Sequence, residues 1–296
     1  MGTRPVIVMT GATNGLGRLA ALDLARTGAR LGVIARSRHK ADALRREIEQ
    51  VAPRTPVDVF LADLSLLADV RRAAERIDAH YPRIDVLINN AGLHAFSQRV
   101  TSEGFAEMTA VNYLAPWVLT DALRDKLTAS APARIVTVAS RASRRVHSID
   151  PFKDLTDTAG FTRRESGPLY GRTKLMDIMF TQELGRRLEG TGVAVTCLCP
   201  GFNVTGLGRE LPLARPLEKV LTRLNIGDPR HGADIIVRLA TDPAFAGVTG
   251  GYFAAKTAKP LECPEIGRDE AIQRALWDAT AELLRDTHPT GACGTS

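Results

Sequence analysis

The sequence predicts an α/β fold, in which one doubly wound domain has a parallel sheet of about seven strands with helices on both faces. Short runs of apolar, often β-branched residues alternate along the chain with longer segments of helical period. These runs read as continuously apolar, as in parallel strands that are buried on both faces. No Pro- or Gly-rich linker divides the chain, so we expect residues 1–296 to form a single domain.

The predicted elements follow one another in a regular order. A strand over 5–10 precedes a helix over about 15–27, and a strand over 31–36 precedes a helix over about 39–50. Helical segments also separate the later strand-like runs, which lie at 57–62, 84–89, 134–139 and 193–198. We expect the tail from about Thr287 to be frayed.

The composition is that of an ordinary globular protein, because 44% of the residues are hydrophobic and 24% are charged. No stretch reaches the roughly 18 apolar residues that a membrane-spanning helix needs. The apolar segment near the N-terminus, P-V-I-V-M-T, is too short for the core of a secretion signal. We therefore expect a cytoplasmic protein without a membrane span. The four cysteines lack paired metal-ligand spacing, which favours reduced thiols and no metal site.

The net charge of +6 does not indicate a nucleic-acid partner. Arginines are spread along the helical segments among acidic residues, and no basic block is interleaved with aromatic residues. A solvated surface with a local site for an anionic small molecule is the better interpretation.

A glycine-rich turn follows the first strand. In T-G-A-T-N-G-L-G, Gly11 allows a tight turn, Gly15 lets the backbone approach a phosphate, and Gly17 lets the helix pack closely on the strand. Free N–H groups at the start of the following helix favour a pyrophosphate. The position of the cluster, between the first strand and the first helix, makes it a strong signal of a dinucleotide site. The residues of this turn expected to bind the cofactor are Gly11, Thr13, Asn14, Gly15, Leu16 and Gly17.

The residues at the end of the second predicted strand distinguish NAD from NADP. An NAD-binding protein usually places an acidic residue there, whereas this chain has Arg36 and Arg38. Together with the hydroxyl of Thr13 or Ser37, these cations suit a 2′-phosphate, so the sequence favours NADP(H). The alternative is that both arginines only cap a surface loop.

Tyr170 and Lys174 lie four residues apart in S-G-P-L-Y-G-R-T-K. If a helix begins over Ser166–Pro168, both side chains share one helical face and can meet one ligand. The alternative is a pair that arises by chance. Arg172, between them, should point away from that face and serve packing, solubility or a subunit contact.

Several motifs in order resemble the short-chain dehydrogenase/reductase family. They are T-G-x-x-x-G-x-G, A-D-L at 62–64, N-N-A-G at 89–92, V-N-Y-L at 111–114, Ser140 after a strand, Y-x-x-x-K, and P-G at 200–201. The resemblance covers roughly residues 3–255. Within the family the chain is most similar to the retinol-dehydrogenase-like group, through R-S-R, D-P-F-K-D-L and G-V-T-G-G-Y-F, a layout that some protochlorophyllide reductases share.

The resemblance implies a Rossmann domain and a role for each matching residue. The implied catalytic tetrad is Asn112, Ser140, Tyr170 and Lys174, of which Tyr170 and Lys174 also contact the cofactor. The further cofactor contacts implied are Asp63 and Leu64 at the adenine, Asn90, Ala91 and Gly92 at its ribose, and Pro200, Gly201 and Thr205 at the nicotinamide. Two alternatives stay open, since Asp63 could cap the next turn and Asn112 could only hydrogen-bond a broken helix.

These groups can carry out a definite reaction. A free tyrosine is a poor base at neutral pH, and a neighbouring ammonium lowers its pKa, so Lys174 should tune Tyr170 and position the cofactor. Ser140 would donate a hydrogen bond to the reacting oxygen, and Asn112 would support a water chain from Lys174. The expected activity is reversible hydride transfer between NADP(H) and a secondary alcohol or a carbonyl substrate.

The chain departs from the family pattern in a long insert between Ser140 and Tyr170. We expect residues 141–168 to form a flap over the active site, either as a solvated surface or with Arg144, Arg145 or His147 in contact with a polar or anionic substrate. The segment over about 206–226, which mixes Gly and Pro with Leu, resembles the mobile substrate lid of the family.

Two other functions remain as alternatives. A regulator or scaffold on the same fold would bind NADP without turnover, although such proteins can lose the Tyr or the Lys that this chain retains. An epimerase or dehydratase would need more C-terminal chain for a nucleotide-sugar domain. The resemblance also implies a homodimer or homotetramer.

Overall fold

The computed structural model describes residues 4–201 and 228–286, and it confirms the predicted α/β class. Seven parallel strands form one sheet in the order β3-β2-β1-β4-β5-β6-β7. The strands are β1 (Val6–Thr10), β2 (Arg30–Ala35), β3 (Val57–Leu61), β4 (Val86–Asn89), β5 (Ala133–Val138), β6 (Val193–Cys199) and β7 (Gly251–Ala254). The predicted lid over 206–226, the tail from 287 and Thr205 lie outside the described residues.

Helices connect the strands. The α-helices are α1 (Gly15–Arg26), α2 (Arg38–Val51), α3 (Leu67–His80), α4 (Glu107–Thr109), α5 (Ala115–Ala129), α6 (Pro151–Thr156), α7 (Ser166–Arg187), α8 (Pro229–Thr241) and α9 (Glu270–Asp286). A π-helical segment, Ala110–Leu114, joins α4 to α5, and three short 3-10 helices lie at Arg141–Arg145, Pro243–Phe245 and Glu265–Gly267. In the part of the chain that is described, none of the helices combines the length and hydrophobicity of a membrane span.

The strand order creates a crevice in the middle of the sheet. The chain begins at β1, moves outward to β3, and then crosses back to β4 on the other side of β1. Connections leaving β1 and β4 therefore diverge, and their carboxyl ends frame a gap in which open α/β sheets bind ligands. Met9 of β1 pairs with Ile88 of β4 just below this gap.

A hydrophobic core lies on each face of the sheet. Helices α1, α2 and α8 cover one face, while α3, α5, α7 and α9 cover the other. The second core includes an aromatic cluster in which Trp277 of α9 stacks on Phe180 of α7, with ring centroids 5.8 Å apart. Trp117 of α5 lies 5.3 Å from Trp277, so three helices meet at this cluster.

The insert after Ser140 is partly docked on the protein. Its 3-10 helix packs along α7, and Ser143, Val146 and Leu155 are buried. Gly171 makes the close approach possible, because a Cβ there would overlap the backbone oxygen of Ala142. Ser143 and Val146 therefore anchor the first part of the insert on α7, while Arg144, Arg145 and His147 remain exposed.

Candidate active site

A cleft of about 500 Å³ opens at the carboxyl ends of the central strands. It is lined by fifteen of the predicted site residues, namely Gly11, Thr13, Asn14, Gly15, Leu16, Gly17, Arg36, Asp63, Leu64, Asn90, Ala91, Gly92, Tyr170, Lys174 and Pro200. Arg38, Asn112, Ser140 and Gly201 are not among the lining residues. No group of three potential metal ligands occurs in the described part of the chain.

The glycine turn forms one end of the cleft. Gly11 and Gly15 have φ of 68° and 54°, a conformation that suits glycine. A side chain at Gly17 would overlap the backbone oxygen of Gly11, so the helix start lies directly against the turn. The amide of Asn90 donates to the backbone oxygens of Thr10 and Gly11, at 3.0 and 3.1 Å, and thereby holds the turn against the end of β4.

Of the two arginines expected at the 2′-phosphate of the cofactor, only one lines the cleft. Arg36 lines the cleft and its side chain is 74% exposed, so it is accessible to an anionic ligand. Arg38 begins α2 and does not line the cleft, whereas Lys40, one half-turn later, does. Ser37 lies beside them, and its hydroxyl accepts a hydrogen bond from the Lys40 backbone N–H. The predicted pair Arg36 and Arg38 is therefore replaced, at the cleft, by Arg36 and Lys40.

Asp63 has the capping contacts that one alternative expects, and it also lies at the cleft, as a contact with the cofactor would require. Its Oδ1 accepts hydrogen bonds from the backbone N–H and the hydroxyl of Ser65, at 3.0 and 2.8 Å, so the carboxylate caps the following turn. It also lines the cleft, and its Oδ2 lies 3.7 Å from Arg36 Nη1. This contact orients Arg36 at the edge of the cleft.

Tyr170 and Lys174 lie in the second and third turns of α7, which begins at Ser166 as predicted. The hydroxyl of Ser140 lies close enough to the Tyr170 phenol to lower the pKa of that phenol. Ser140 itself ends the loop after β5, and its hydroxyl accepts from the backbone N–H of Ala142 at 3.2 Å. The structure thus brings Ser140, Tyr170 and Lys174 together although thirty positions separate the first two in the sequence.

The pKa of Tyr170 differs from the expected lowering. Burial raises it, Lys174 and the nearby Ser140 hydroxyl lower it, and the carboxylate of Asp177 raises it again, so that the pKa lies above its ordinary value. Lys174 lowers the pKa of Tyr170 as expected, but burial outweighs this effect. The phenol is therefore protonated at neutral pH.

Lys174 has a partner that the sequence analysis missed. Its Nζ donates to Asp177 Oδ2 and to the backbone oxygen of Val138, both at 2.8 Å, and the Lys174 side chain is only 4% exposed. Burial lowers the pKa of Lys174, but Asp177 and Tyr170 outweigh burial, so the pKa is raised and the ammonium is charged. The signal was present, since Lys174 and Asp177 have i,i+3 spacing on one helical face.

Asn112 lies in the π-helical segment, and such irregular turns often occur at functional sites. Its Oδ1 accepts from the backbone N–H of Leu93 at 2.8 Å, and its Nδ2 donates to the Leu93 oxygen and to Thr173. These bonds tie the loop after β4 to α7, as the broken-helix alternative expects. Both amide protons are used, so a water chain from Lys174 would have to use an oxygen of Asn112.

His94 is a second residue that the sequence analysis did not single out. Its ring stacks on Tyr170, with centroids 4.7 Å apart and planes 17° apart, and Nε2 lies 3.2 Å from the Ser166 hydroxyl. Phe96 covers the imidazole at 4.5 Å. The only sequence signal was its place directly after N-A-G-L, where the chain leaves β4.

The charged residues of the insert do not reach the cleft. Arg144 and His147 border a separate hollow near Glu265 and Asp269, and Arg145 does not line the cleft either. The hypothesis that these side chains meet an anionic substrate therefore has no support in the described structure.

Arg172 points away from the Tyr170 and Lys174 face, as expected. Its Nη1 lies 2.7 Å from Asp154 Oδ1, and the Asp154 side chain is 7% exposed. This ion pair fastens α6, and with it the second part of the insert, to α7.

The two loops that follow β5 and β6 are joined beside the site. The backbone N–H groups of Arg141 and Gly201 both donate to Cys199 Sγ, at 3.3 and 3.4 Å. Pro200 lines the cleft, whereas Gly201 is exposed and has φ of 79°.

The chain is similar to known proteins along most of its length. A family model described as short chain dehydrogenase matches residues 5–149. Human retinol dehydrogenase 14 is 37% identical over 294 residues, covering 94% of this chain and 85% of that protein. Human retinol dehydrogenase 13 is 35% identical over 284 residues, covering 94% and 84%. A solved structure assigned to the short chain dehydrogenases, from Escherichia coli CFT073 and complexed with NADPH, is 25% identical with a TM-score of 0.66, covering 85% of this chain and 96% of that one.

Proposed function

The chain belongs to the short-chain dehydrogenase/reductase family, in its retinol-dehydrogenase-like group, and we propose that it is an NADP(H)-dependent oxidoreductase that interconverts a carbonyl compound and its alcohol. The observation that carries the proposal is that Tyr170 and Lys174 line a cleft that begins at the glycine turn, with the Ser140 hydroxyl beside the Tyr170 phenol. A phenol, a hydroxyl and an ammonium at one point are the groups that carbonyl reduction needs.

Each residue has a distinct role in the proposed mechanism. The nicotinamide cofactor, when bound, supplies or accepts the hydride. Tyr170 donates a proton to the carbonyl oxygen in reduction and takes it back in oxidation. Ser140 donates a hydrogen bond to the same oxygen as negative charge develops there. Lys174 presents its ammonium to the cofactor ribose and favours the tyrosinate. Because the Tyr170 pKa is raised, the resting phenol is ready for reduction.

The choice of NADP(H) is supported by charge at the adenine end of the cleft. Arg36 and Lys40 line the cleft there, beside the hydroxyl-bearing residues Thr13 and Ser37. Two cations and two hydroxyls suit a 2′-phosphate better than a free ribose hydroxyl. The Escherichia coli relative that carries NADPH is consistent with this choice.

The test removes only the proposed acid. Tyr170→Phe should lower kcat for carbonyl reduction by about a hundredfold to ten-thousandfold, since positioned acid–base groups contribute on the order of 10²–10⁴. NADPH should still bind, which its fluorescence measures. Tyr252→Phe is the matched control, because the Tyr252 hydroxyl is buried, has no hydrogen-bond partner and does not line the cleft. Activity near that of the parent in Tyr170→Phe would exclude the mechanism.

A panel of carbonyl compounds separates the enzyme from a regulator. Purified protein is mixed with NADPH and each compound while nicotinamide absorbance is followed, and retinal belongs in the panel because the human relatives are named retinol dehydrogenases. Turnover of any member supports the enzyme. Tight NADPH binding without turnover across the panel would favour the nucleotide-binding regulator.

A further inference from the structure

A buried carboxylate lies directly behind the proposed acid–base pair. Asp177 follows Lys174 by one helical turn on α7, and its side chain is only 1% exposed. One oxygen, Oδ2, accepts the hydrogen bond from Lys174 Nζ at 2.8 Å. The other, Oδ1, is buried without a hydrogen-bond partner. An unsatisfied carboxylate oxygen in the core destabilises the fold, so stability alone does not explain this residue.

The surroundings of Asp177 leave Lys174 as its charged partner. Within residues 4–201 and 228–286, the other titratable groups that interact with it are Tyr170 on the same helix, Tyr113 in the π-helical segment and Cys197 on β6. Burial raises the pKa of each of these three, so they are neutral at physiological pH. The field of the carboxylate therefore acts on Lys174 and, beyond it, on the Tyr170 phenol.

The hydrogen bonds of Lys174 show what this carboxylate holds in place. An ammonium has three N–H donors. One is directed at Val138 and one at Asp177, while Lys174 also lines the cleft beside Gly92. Two fixed donors thus leave the third for a ligand in the cleft.

We propose that Asp177 is a positioning residue of the reaction, whose carboxylate fixes the Lys174 ammonium with one N–H toward the cleft and opposes the ammonium's charge at Tyr170. The part concerning turnover rests on the proposed function. The effect of Asp177 on ionisation of the Tyr170 phenol can be measured without turnover. A failure of this proposal can therefore be distinguished from a failure of the proposed function.

The first experiment compares Asp177→Asn with the parent. The amide keeps the shape and removes the negative charge, so the tyrosinate becomes easier to form. In carbonyl reduction, which needs the protonated phenol, kcat/KM should then begin to fall at a pH lower by about one unit. Glu183→Gln is the matched control, because Glu183 is a buried carboxylate on the same helix that pairs with Arg186 and Arg187. Its pH profile should match that of the parent.

The second experiment observes the phenol directly. The chain has four tyrosines, and fluorotyrosine, whose phenol is more acidic, brings their ionisation into a convenient pH range. Fluorine NMR resolves each ring, and Tyr170→Phe assigns its signal. The pH midpoint of Tyr170 ionisation should be lower in Asp177→Asn than in the parent. Asp177→Glu keeps the negative charge, so its midpoint should lie close to that of the parent.

A further pair of variants covers the case in which Asp177→Asn does not fold because Lys174 is left unpaired. Lys174→Met leaves the carboxylate alone with the phenol, and Lys174→Met/Asp177→Asn removes both charges. The Tyr170 midpoint should be lower in the double variant than in Lys174→Met. Equal midpoints in this pair, or a kcat/KM profile of Asp177→Asn that falls uniformly without moving along the pH axis, would overturn the proposal and leave Asp177 a structural residue.

Discussion

Lys40 is the residue that changes the interpretation of cofactor selectivity most. It lies one half-turn inside α2 and lines the same end of the cleft as Arg36, whereas Arg38 does not line the cleft. The strand end marks where a selecting charge should lie, but which of the next residues faces the cleft depends on the first turn of the helix.

Arg36→Ala and Lys40→Ala should each raise KM for NADPH by about tenfold, with little change for NADH. Each removes one charge-assisted contact to a 2′-phosphate, which contributes about 1.5–3 kcal/mol when well formed and less at an exposed site. Steady-state kinetics with both cofactors measures the ratio of KM for NADPH to KM for NADH. Arg38→Ala is the control and should leave it unchanged. An unchanged ratio in the Arg36→Ala/Lys40→Ala double variant would contradict selection by these cations.

The identities of the main site residues could be predicted from the sequence, whereas the contacts between side chains could not. Tyr170, Lys174 and Ser140 follow from a motif, because the reaction constrains both their identity and their order. Asp177 and His94 do not, since their importance lies in a 2.8 Å contact with Lys174 and a ring stacked on Tyr170. Contacts of this kind depend on how a helix is rotated and on where a loop leaves the sheet.

At the scale of elements, the contact between α7 and the 3-10 helix at Arg141–Arg145 positions two sides of the site. Ser140 immediately precedes that 3-10 helix, and Tyr170 immediately precedes Gly171, where the two elements touch. The spacing between Ser140 and Tyr170 is therefore determined by a backbone contact rather than by side chains.

Gly171→Ala should destabilise the protein by about 1–3 kcal/mol, the usual cost of overpacking, because the added methyl overlaps the Ala142 oxygen. Activity should fall with it as Ser140 is displaced from Tyr170. Urea unfolding and kcat measure the two effects. Gly167→Ala on the same helix is the control, since its nearest contact is the mobile end of Arg145 at 3.1 Å. Stability of that variant should stay within about 1 kcal/mol of the parent. Equal stability of the two variants would show that a methyl group at residue 171 fits beside the Ala142 oxygen, and would contradict the prediction.

The elements themselves were largely predictable. Continuous apolar runs predicted the six strands from β1 to β6, because a strand covered on both faces has no polar side. The π-helical segment at Asn112 was not predictable, since the amide that stabilises it bonds Leu93 and Thr173, which are distant in sequence. The docking of the insert likewise depends on Gly171 and on the Arg172–Asp154 ion pair.

At the scale of the whole molecule, Asp177 links folding stability to pH. Burial, partly offset by Lys174, raises its pKa from 3.8 to about 6. Between these values the folded protein binds more protons than the unfolded chain, so this group's contribution to the free energy of unfolding falls as pH rises. Asp58 and Glu183 have lowered pKa values and act in the opposite direction, losing their contribution as pH falls.

The difference in unfolding free energy between the parent and Asp177→Asn isolates this contribution. Between pH 4 and pH 6.5 this difference should change by on the order of 3 kcal/mol, because one pKa unit corresponds to about 1.4 kcal/mol. The parent should lose stability relative to the variant as the pH rises. Denaturant unfolding at several pH values measures it, and Glu183→Gln should show a difference of the opposite sign. A parent-to-variant difference that does not depend on pH would contradict the raised pKa.

The aromatic cluster that joins α5, α7 and α9 has an optical consequence. Trp117 and Trp277 are the two tryptophans of the chain, and both lie within this cluster. Tryptophan emission of the unmodified protein, excited selectively over tyrosine, therefore originates at one location, where α9 meets the rest of the core. Rotation or detachment of that helix would change the colour and intensity of the emitted light, so its attachment can be timed without any introduced label.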